Sequence, residues 1–414
     1  MINHIKNILI FKKNYLNTNV NIFFNKNFFF LKNKNTLFFN NFENYIFNYN
    51  NIYFSLKKYN FITSNFLLFL NKKKNNIKHK YRFFNFFFGY INFNFFRKKN
   101  NLKHNNKDYE SFIFFPKIIH FFKKKYNQIF FYFFKKKYFF KNISKLINIL
   151  IFKIKNNYFY LKINKINKKN FFINKKKFFK NCCKIKNNIN NGNIVQCIIS
   201  NNLIIKNFIK NFLNISNYNF FIYFKKEIIN GNSPEYLIRF EKNKFYSKPI
   251  AGTASFYIKS ILKNKKELSE HTMLLDLSLN DSFKNNIKNI YINRIYSLEY
   301  HKNIIHIISE LYFTIYKKNI LIIIENLFPA GTLSGSPKYV SIKFINKLEK
   351  KNRNYYGGNL FLINKYNIES CILIRFIYFK KNNFICQSGA GIIYSSYILL
   401  EWLETIIKKQ FLLK

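Results

Sequence analysis

The 414-residue sequence is poor in glycine, proline, cysteine and acidic residues, and these shortages exclude several classes of protein. No apolar run approaches the roughly 18 to 20 residues of a membrane-spanning helix. The five cysteines form no C-x-x-C pair, which disfavours a disulfide framework or a zinc site and fits reduced thiols. No RNA-binding signature or zinc-finger spacing occurs. We therefore expect a cytoplasmic protein that binds neither nucleic acid nor a membrane.

The strongly basic composition has a simpler explanation than an anionic partner. Lysine and arginine number 71 against 17 acidic residues, a formal net charge of +54. Asn, Lys, Ile, Phe and Tyr all have AT-rich codons and are enriched together, so an AT-biased genome produces this excess without selection for charge. Charge without a motif is a weak sign of nucleic-acid binding. At 48% hydrophobic residues, the chain can still build a large core.

The rare residues are concentrated in the second part of the chain. Nine of the ten glycines lie between Gly192 and Gly391, and the exception is Gly89. Glycine, alanine and proline have GC-rich codons, so an AT-biased genome tends to lose them. Each one that is retained therefore indicates a physical requirement. This distribution predicts a diverged, structural, low-complexity portion over residues 1–164 and a domain over residues 165–414 that carries the site. In the first portion, the aromatic stretch at 82–96 reads as a buried strand or helix.

The second part shows patterns of both strands and helices. Apolar segments predict strands at 193–200, 219–224, 370–379 and 382–394, and helical spacing predicts helices at 264–277 and 399–412. The elements do not alternate regularly, and residues 370–390 have the pattern of a hairpin. We therefore predict an α+β fold with antiparallel sheets. His306 lies in an apolar segment that reads as helical, where a core histidine is the ordinary interpretation and a proton donor the alternative.

Two E-x-x-E pairs stand on the two predicted helices. Glu267 and Glu270 form one pair, and Glu401 and Glu404 form the other. Residues three apart share a helical face, so each pair can present two carboxylates to a common point. Oxygen ligands of this kind suit Mg²⁺, whereas the alternative is exposed glutamates paired with lysines. With so few acidic residues in the chain, and with both pairs flanking glycine-rich segments, we favour a metal site.

Three glycine-containing segments predict tight turns around a small anion. They are FPAGTLSGSPK (328–338), YYGG (355–358) and SGAGI (388–392). The first lacks the spacing of a nucleotide-binding P-loop, but it offers the hydroxyls of Thr332 and Ser334 and the cation of Lys338. Each segment alone could be a simple turn. Together with Arg375, predicted on a neighbouring strand, they indicate a pocket for a small polyanion.

Ten segments in one order between about residues 190 and 410 resemble the chorismate-utilising enzymes, most closely the anthranilate synthase component I branch. They are GNIVQCIIS, NGNSPEYLIR, KPIAGT, KELSEHTMLLDL, IIHIIS, FPAGTLSGSPK, YYGG, ESCILIR, QSGAGI and EWLETIIKK. The first part of the chain shows no such match. The resemblance implies an α+β sandwich of antiparallel sheets with outer helices, in which chorismate binds on Mg²⁺.

The resemblance also implies roles for individual residues. The matches to the metal-binding glutamates are Glu270 and Glu404, with Glu267 and Glu401 as their neighbours in the metal shell. The matches to positions that hold chorismate are Gly252, Thr253, Tyr356, Arg375, Gly389, Ala390 and Gly391. The matches to catalytic positions are His306 as general acid for loss of the 4-hydroxyl, Glu235 as a catalytic carboxylate, and Thr332 and Lys338 lining the same site.

The reaction implied is that of a magnesium-dependent lyase, in which chorismate and ammonia give anthranilate and pyruvate, the first step of tryptophan biosynthesis. Ammonia is expected from a glutamine amidotransferase partner, within a heterotetramer. Ala251 favours this branch, because 4-aminobenzoate-branch relatives (aminodeoxychorismate synthases) typically have lysine there. The alternatives are an aminodeoxychorismate or isochorismate synthase, or a decayed paralogue that acts as a basic binding protein.

The sequence departs from the family pattern at three places. The family's AGTRPRG appears as AGTASFY from Ala251 onward, and Leu279 stands where arginine is expected. The expected consequence is weaker substrate binding, or substitution by neighbouring lysines. The N-terminal serine motif of the tryptophan feedback site is not evident, and its second segment appears as NYN at 217–219. We therefore expect feedback inhibition by tryptophan to be weak or absent.

Overall fold

The computed structural model describes most of the second part of the chain and selected segments of the first. The described residues are 175–205, 218–224, 227–255, 259–285, 287–301, 304–316, 320–349, 353–363, 367–380 and 383–413, together with 2–5, 8–13, 28–32, 36–47, 53–55, 87–99, 102, 111–123 and 126–132.

The strands of the described residues follow the apolar and aromatic segments of the sequence. They are β1 (Ile2–Ile5), β2 (Ile8–Lys13), β3 (Phe28–Lys32), β4 (Thr36–Phe47), β5 (Tyr53–Ser55), β6 (Phe87–Ile91), β7 (Ser111–Lys123), β8 (Tyr126–Tyr132), β9 (Gln196–Ile205), β10 (Tyr218–Phe224), β11 (Glu227–Ser233), β12 (Arg239–Glu241), β13 (Lys244–Ser247), β14 (Ile250–Ser255), β15 (Ile287–His301), β16 (Ile304–Ile315), β17 (Gly335–Ser336), β18 (Asn359–Ile363), β19 (Ile368–Ile372), β20 (Phe376–Lys380) and β21 (Asn383–Ile392).

The helices of the described residues carry the two glutamate pairs. They are α1 (Phe93–Lys99), α2 (Lys175–Asn190), α3 (Lys265–Phe283), α4 (Ile320–Leu327), α5 (Gly331–Ser334), α6 (Lys338–Leu348) and α7 (Ile398–Leu413), with one 3₁₀ turn at Lys259–Lys263. Helix α3 begins where the Asn264 side chain accepts hydrogen bonds from the backbone N–H groups of Lys266 and Glu267. This N-cap fixes the first turn of the helix, and therefore the position of Glu267.

The strands pair antiparallel in two arms that meet at β7. One arm runs from β4 through β3, β10, β11, β20 and β21 to β9 and β17. The other runs from β6 through β18, β19, β12 and β13 to β16. At its end, β16 pairs with β14 and, on its other edge, with β15. Several of these pairings, such as β18 with β6 and β13 with β16, connect distant parts of the chain, so tertiary packing must stabilise them.

The two arms enclose a common apolar core. Phe220 of β10 and Phe376 of β20 belong to the same buried cluster as Phe313 of β16 and Phe361 of β18. A second core lies on the outer face of β9 and β21, where helices α2, α6 and α7 pack. In it, the rings of Phe178 and Trp402 lie 5.2 Å apart. The architecture is therefore an α+β sandwich of antiparallel sheets with outer helices, as predicted.

Most predicted elements are confirmed, and three local predictions are wrong. The segment SGAGI (388–392), predicted as a tight turn, lies within strand β21. Strands β9, β10, β19, β20 and β21 and helices α3 and α7 occupy the predicted segments, and β20 and β21 form a hairpin. His306 lies on strand β16, not in a helix. The apolar run around His306 was interpreted as helical because a strand buried on both faces lacks the period-2 alternation that identifies a strand. Arg375 lies between β19 and β20 with a φ of 51°, so it is not part of a strand.

The isolated Gly89 marks a contact between the two parts of the chain. It lies on β6 opposite Phe361 of β18, and a Cβ atom built on Gly89 would stand 2.2 Å from the Phe361 ring. Residues 87–96 of the predicted aromatic stretch are β6 and the start of α1, and Tyr90 and Phe93 are fully buried. The proposed division at residue 164 is crossed by this pairing; whether it separates two folding units stays a prediction.

No helix within the described residues is long and apolar enough to cross a membrane. All five cysteines are free, and burial raises the pKa of Cys182, Cys197, Cys371 and Cys386. Their thiols are therefore protonated at neutral pH and behave as small apolar side chains.

Gly89→Ala is expected to lower the free energy of unfolding by about 1–3 kcal/mol, because the new methyl group must displace a buried ring. The control is Gly192→Asn, since Gly192 has a φ of 72° and open space around it, and asparagine tolerates that conformation. Urea unfolding measures both variants. Equal midpoints for Gly89→Ala and wild type would contradict the close packing of β6 on β18.

Candidate active site

Glu235 and Thr332 form one end of the candidate site. Glu235 follows β11 and is buried, and its Oε1 accepts a hydrogen bond of 3.0 Å from the Thr332 hydroxyl on α5. The Glu235 carbonyl accepts a bond from the N–H of Ile372, which fixes the segment after β11 against β19. Burial raises the pKa of Glu235 to about 8, although the Thr332 bond and nearby Arg375 lower it. The carboxyl group can therefore hold or release a proton near neutral pH.

Arg375 and His306 stand next to this carboxyl group. The Nη2 atom of Arg375 lies 3.4 Å from Nε2 of His306, and Nδ1 of His306 lies 3.2 Å from the carbonyl oxygen of Gly252. Since a carbonyl only accepts, Nδ1 carries the proton, and Nε2 faces Arg375. Burial lowers the pKa of Arg375 to about 10, partly offset by Glu235, so the guanidinium stays charged at neutral pH.

The four predicted glutamates lie close enough to influence one another. Burial raises the pKa of Glu270 to about 8, and the charges of Glu404, Glu267 and Glu401 raise it further. Gln196 of β9 donates a hydrogen bond of 3.1 Å to Glu270. The two helices therefore bring like charges together in a partly buried space, which is costly unless cations are near.

Two lysines neutralise the second glutamate pair. Lys266 Nζ lies 2.6 Å from Oε1 of Glu401, which also accepts a bond from the Ser396 hydroxyl. Lys408 Nζ lies 2.6 Å from Glu404 and donates to the carbonyl of Gly389 at 3.1 Å. These ammonium groups stand where a divalent cation would otherwise balance the carboxylates.

Glycine backbones lie close to the charged groups of the candidate site. A Cβ atom built on Gly391 would stand 2.8 Å from Oε1 of Glu270, and one built on Gly252 would stand 3.1 Å from Oε2 of Glu267. A Cβ atom on Gly389 would stand 2.9 Å from the hydroxyl of Tyr356. The backbones of β14 and β21 therefore lie next to Glu267 and Glu270 and also next to Tyr356 and His306. Ala390 is buried within the same strand.

Two predicted residues are placed differently from the rest. Lys338 is buried, but its Nζ forms an ion pair with Asp281 and donates to the carbonyl of Leu327 at 3.1 Å. These contacts do not bring it to the group around His306. Thr253 lies on β14 opposite His306 in the backbone register, and its side chain lies outside the described residues.

Sequence reasoning missed Gln196, Lys266 and Lys408. The four-residue spacing of Glu404 and Lys408 on α7 could have indicated that pair. Gln196 and Lys266 carried no such signal, because Gln196 lies 74 positions from Glu270 and Lys266 lies 135 positions from Glu401. Only the packing of α3 on β14 and of α7 on β21, together with the pairing of β21 and β9, brings these residues together.

The donor chemistry of the glutamate cluster fits a hard divalent cation. Its four carboxylates supply oxygen ligands, and the repulsion that raises the pKa of Glu270 is only partly offset by Lys408. Among the described residues, no three His, Cys, Asp or Glu side chains converge closely enough to hold a metal. The four carboxylates therefore do not converge on one point as predicted. Glu401 and Glu404 are instead paired with Lys266 and Lys408.

A family profile described as chorismate binding enzyme matches residues 28–414. The chain therefore belongs to the chorismate-binding enzyme family. The match extends well before residue 190, where the recognisable motifs begin, so the first part of the chain shares the family pattern beyond what its low-complexity sequence displays.

Two curated relatives are both described as anthranilate synthase component 1. The protein of Aquifex aeolicus is 31% identical over 215 residues, which cover 49% of this chain and 44% of the relative. That of Acetivibrio thermocellus is 32% identical over 255 residues, covering 57% of this chain and 52% of the relative. The aligned region spans about half the length of these relatives.

Solved structures share the fold across nearly the whole chain. Anthranilate synthase component I from Streptococcus pneumoniae superposes with a TM-score of 0.79 at 21% identity, covering 92% of each chain. The menaquinone-specific isochorismate synthase of Escherichia coli superposes with a TM-score of 0.71 at 13% identity, covering 98% of this chain and 94% of that one. At these identities the likeness establishes the fold alone.

The high pKa of Glu235 predicts a pH-dependent stability. Below about pH 4.5 both states are protonated; between about 4.5 and 8 the unfolded state loses the proton while the folded state keeps it. Folding stability therefore falls as pH rises through this window. Glu235→Gln stays neutral, so its free energy of unfolding should fall less than that of wild type. The difference between the two falls should be about 2–4 kcal/mol across the window.

Urea unfolding between pH 5 and 8.5 measures the two slopes. Asp276→Asn, which removes an exposed carboxylate on α3, is the control and should keep the wild-type slope. Parallel curves for Glu235→Gln and wild type would show that Glu235 ionises normally.

Proposed function

We propose that the chain is the large, chorismate-converting subunit of an anthranilate synthase. The observation that carries the proposal is the pairing of Arg375 and His306 with a buried Glu235 on one side of the pocket and a carboxylate cluster on the other. Chorismate is a dicarboxylate with a leaving hydroxyl, so it needs cations for its charges and a proton for its oxygen. The relatives described as anthranilate synthase component 1 support this branch over others.

Each residue has a distinct task in the proposed reaction. Arg375 offers a planar guanidinium that can hold a carboxylate with two parallel hydrogen bonds. The carbonyl of Gly252 holds the His306 ring through Nδ1, while Nε2 faces Arg375. When a substrate carboxylate engages Arg375, Nε2 would be able to take up a proton and donate it to the departing 4-hydroxyl. Glu235 can accept the proton that ammonia loses after it attacks ring carbon 2 once it is ionised, and its pKa of about 8 puts that ionisation slightly above neutral pH.

The second half of the reaction is an elimination. The aminated ring loses its enolpyruvyl side chain as pyruvate and becomes aromatic. The glycine backbones of β14 and β21 would let the ring approach the strands closely, beside Tyr356 and the glutamates. Tyr356 is buried and can pack against the substrate from its side of the pocket.

Mg²⁺ is the proposed cofactor. Glu267, Glu270, Glu401 and Glu404 would hold it, and when bound it neutralises substrate carboxylates and the carboxylate cluster together. Lys266 and Lys408 would then give up their present partners, or remain as further positive charges beside the substrate.

Ammonia is proposed to come from a glutamine amidotransferase subunit, in a heterotetramer that works in the cytoplasm. A cavity of about 30 Å³ borders Glu235 and Thr332 and is also lined by Lys248, Pro249 and Leu274. Such a space holds a molecule of the size of water or ammonia. Ala251, a small residue beside Gly252, supports free ammonia as nucleophile over a lysine amine.

The deciding experiment mixes the purified protein with chorismate, ammonium and MgCl₂ and follows anthranilate by its fluorescence. We expect anthranilate and an equal amount of pyruvate, and no product when EDTA replaces MgCl₂. Chromatography identifies the competing outcomes. Isochorismate or 4-amino-4-deoxychorismate would assign another branch of the family, and bound but unconverted chorismate would favour a non-catalytic paralogue.

Glu270→Gln separates the metal proposal from activity. Removing one of four repelling charges should raise the free energy of unfolding in EDTA by about 1–2 kcal/mol at pH 8, because one pKa unit corresponds to about 1.4 kcal/mol. The same variant should lose most of the thermal stabilisation that MgCl₂ gives wild type, and Mg²⁺-dependent chorismate binding with it. Asp276→Asn on the same helix is the control. Undiminished stabilisation of Glu270→Gln by MgCl₂ would remove Glu270 from the metal site.

A further inference from the structure

Arg353 stands out because this chain rarely uses arginine. Six of the 71 basic residues are arginine, and the rest are lysine. Arg353 is completely buried, with 0% of its surface exposed. Where a point charge suffices, lysine is the residue this chain uses, so a buried arginine indicates a need for the planar, five-donor guanidinium.

The guanidinium of Arg353 links backbone segments that are far apart in sequence. Nη1 donates to the carbonyl of Leu333 at 2.6 Å, and Nη2 donates to the carbonyl of Ile198 at 2.7 Å. Leu333 directly follows Thr332, and Ile198 is the strand partner of Gly391. One side chain thereby joins the turn that carries Thr332 to the strand pair that carries Gly391.

Glu349 completes this unit as a buried carboxylate. Arg353 donates to it from Nε at 2.8 Å and from Nη2 at 2.9 Å. Glu349 also accepts hydrogen bonds from the N–H of Ser200 at 2.7 Å and from its hydroxyl at 2.8 Å. Gln387 of β21 donates to the same hydroxyl at 2.8 Å. The ion pair is therefore anchored to β9 and β21 as well as to α5.

Two aromatic rings flank the Arg353 guanidinium. The Phe93 ring of α1 lies 4.6 Å away, and the Tyr356 ring lies 5.7 Å away. The Tyr356 hydroxyl lies next to Gly389, in the candidate site. The N-terminal helix α1 thus contacts the site through Arg353, although the first part of the chain carries no motif for it.

We infer that Arg353, held by Glu349, is a positioning residue that fixes the substrate-facing wall formed by Tyr356, Thr332 and Gly391. It does not touch the reacting atoms; it sets the distance between the α5 turn, the β21 backbone and the Tyr356 ring. The inference rests on the proposed function in taking chorismate as the ligand of that wall.

Lysine cannot replace the Arg353 guanidinium, because one ammonium group cannot reach Glu349 and the carbonyls of Leu333 and Ile198 in the same geometry. Arg353→Lys is therefore expected to weaken chorismate binding at least tenfold, measured by equilibrium dialysis with MgCl₂ and without ammonium. In turnover it should raise the KM for chorismate by a similar factor and leave the KM for ammonium within twofold of wild type. A purely structural pair would lower the unfolding midpoint without this split between the two substrates.

Arg239→Lys is the matched control. Arg239 pairs with Glu241 and Glu369 on β12 and β19, away from Tyr356, Thr332 and Gly391. It should keep wild-type chorismate affinity. Glu349→Gln, which keeps the shape of the anchor, tests the same unit if Arg353→Lys does not fold, and a loss of three- to tenfold in affinity is expected.

A double-mutant cycle tests whether Arg353 acts through Tyr356. Arg353→Lys and Tyr356→Phe should be less than additive in chorismate affinity. Wild-type affinity in folded Arg353→Lys and Glu349→Gln, or full additivity, overturns the positioning role. If wild type binds chorismate but makes no anthranilate, the proposed reaction is wrong. The chorismate affinities of the double-mutant cycle then still test the positioning role of Arg353. If wild type binds no chorismate, both fail.

Discussion

Repulsion among four glutamates from two helices is the constraint around which the site is built. Helices α3 and α7 pack against β14 and β21, and this places Glu267 and Glu270 beside Glu401 and Glu404. Like charges at such a place need cations, and Lys266 and Lys408 provide them. Glu267 and Glu270 approach the strands closely at Gly252 and Gly391, and Gly252 also has a φ of 71° that favours glycine. A chain biased against glycine therefore keeps it at positions 252 and 391.

The opposite side of the pocket has the complementary chemistry. Arg375, His306 and Glu235 lie on three separate segments, and together they suit a ligand that carries both negative charge and a leaving oxygen. Gly252 belongs to both sides, because its carbonyl orients His306 while its Cα faces Glu267. A single small residue thus sets the relation between the acid–base groups and the carboxylate cluster.

The sequence predicted the elements better than the environment of individual side chains. Helices α3 and α7 were predictable because an apolar face repeats along each of them, and β20 and β21 because a polar turn separates two apolar runs. The strand that carries His306 was not, since a run of isoleucines buried on both faces suits either structure. Lys338 could be placed in a glycine-rich segment, but its ion pair with Asp281 depends on a helix 57 positions earlier in the chain, which local sequence does not encode.

Composition and motif order by themselves determined the fold class and the family, and they predicted a set of candidate site residues. The reason is that glycines, acidic pairs and helical periods are local features, and a biased composition makes them conspicuous. Tertiary structure alone decided which partner each polar or charged side chain of the site contacts. Gln196 reaches Glu270, Lys266 reaches Glu401, and Arg353 joins α1, α5 and β9, because antiparallel pairing and helix packing bring distant segments within hydrogen-bond distance.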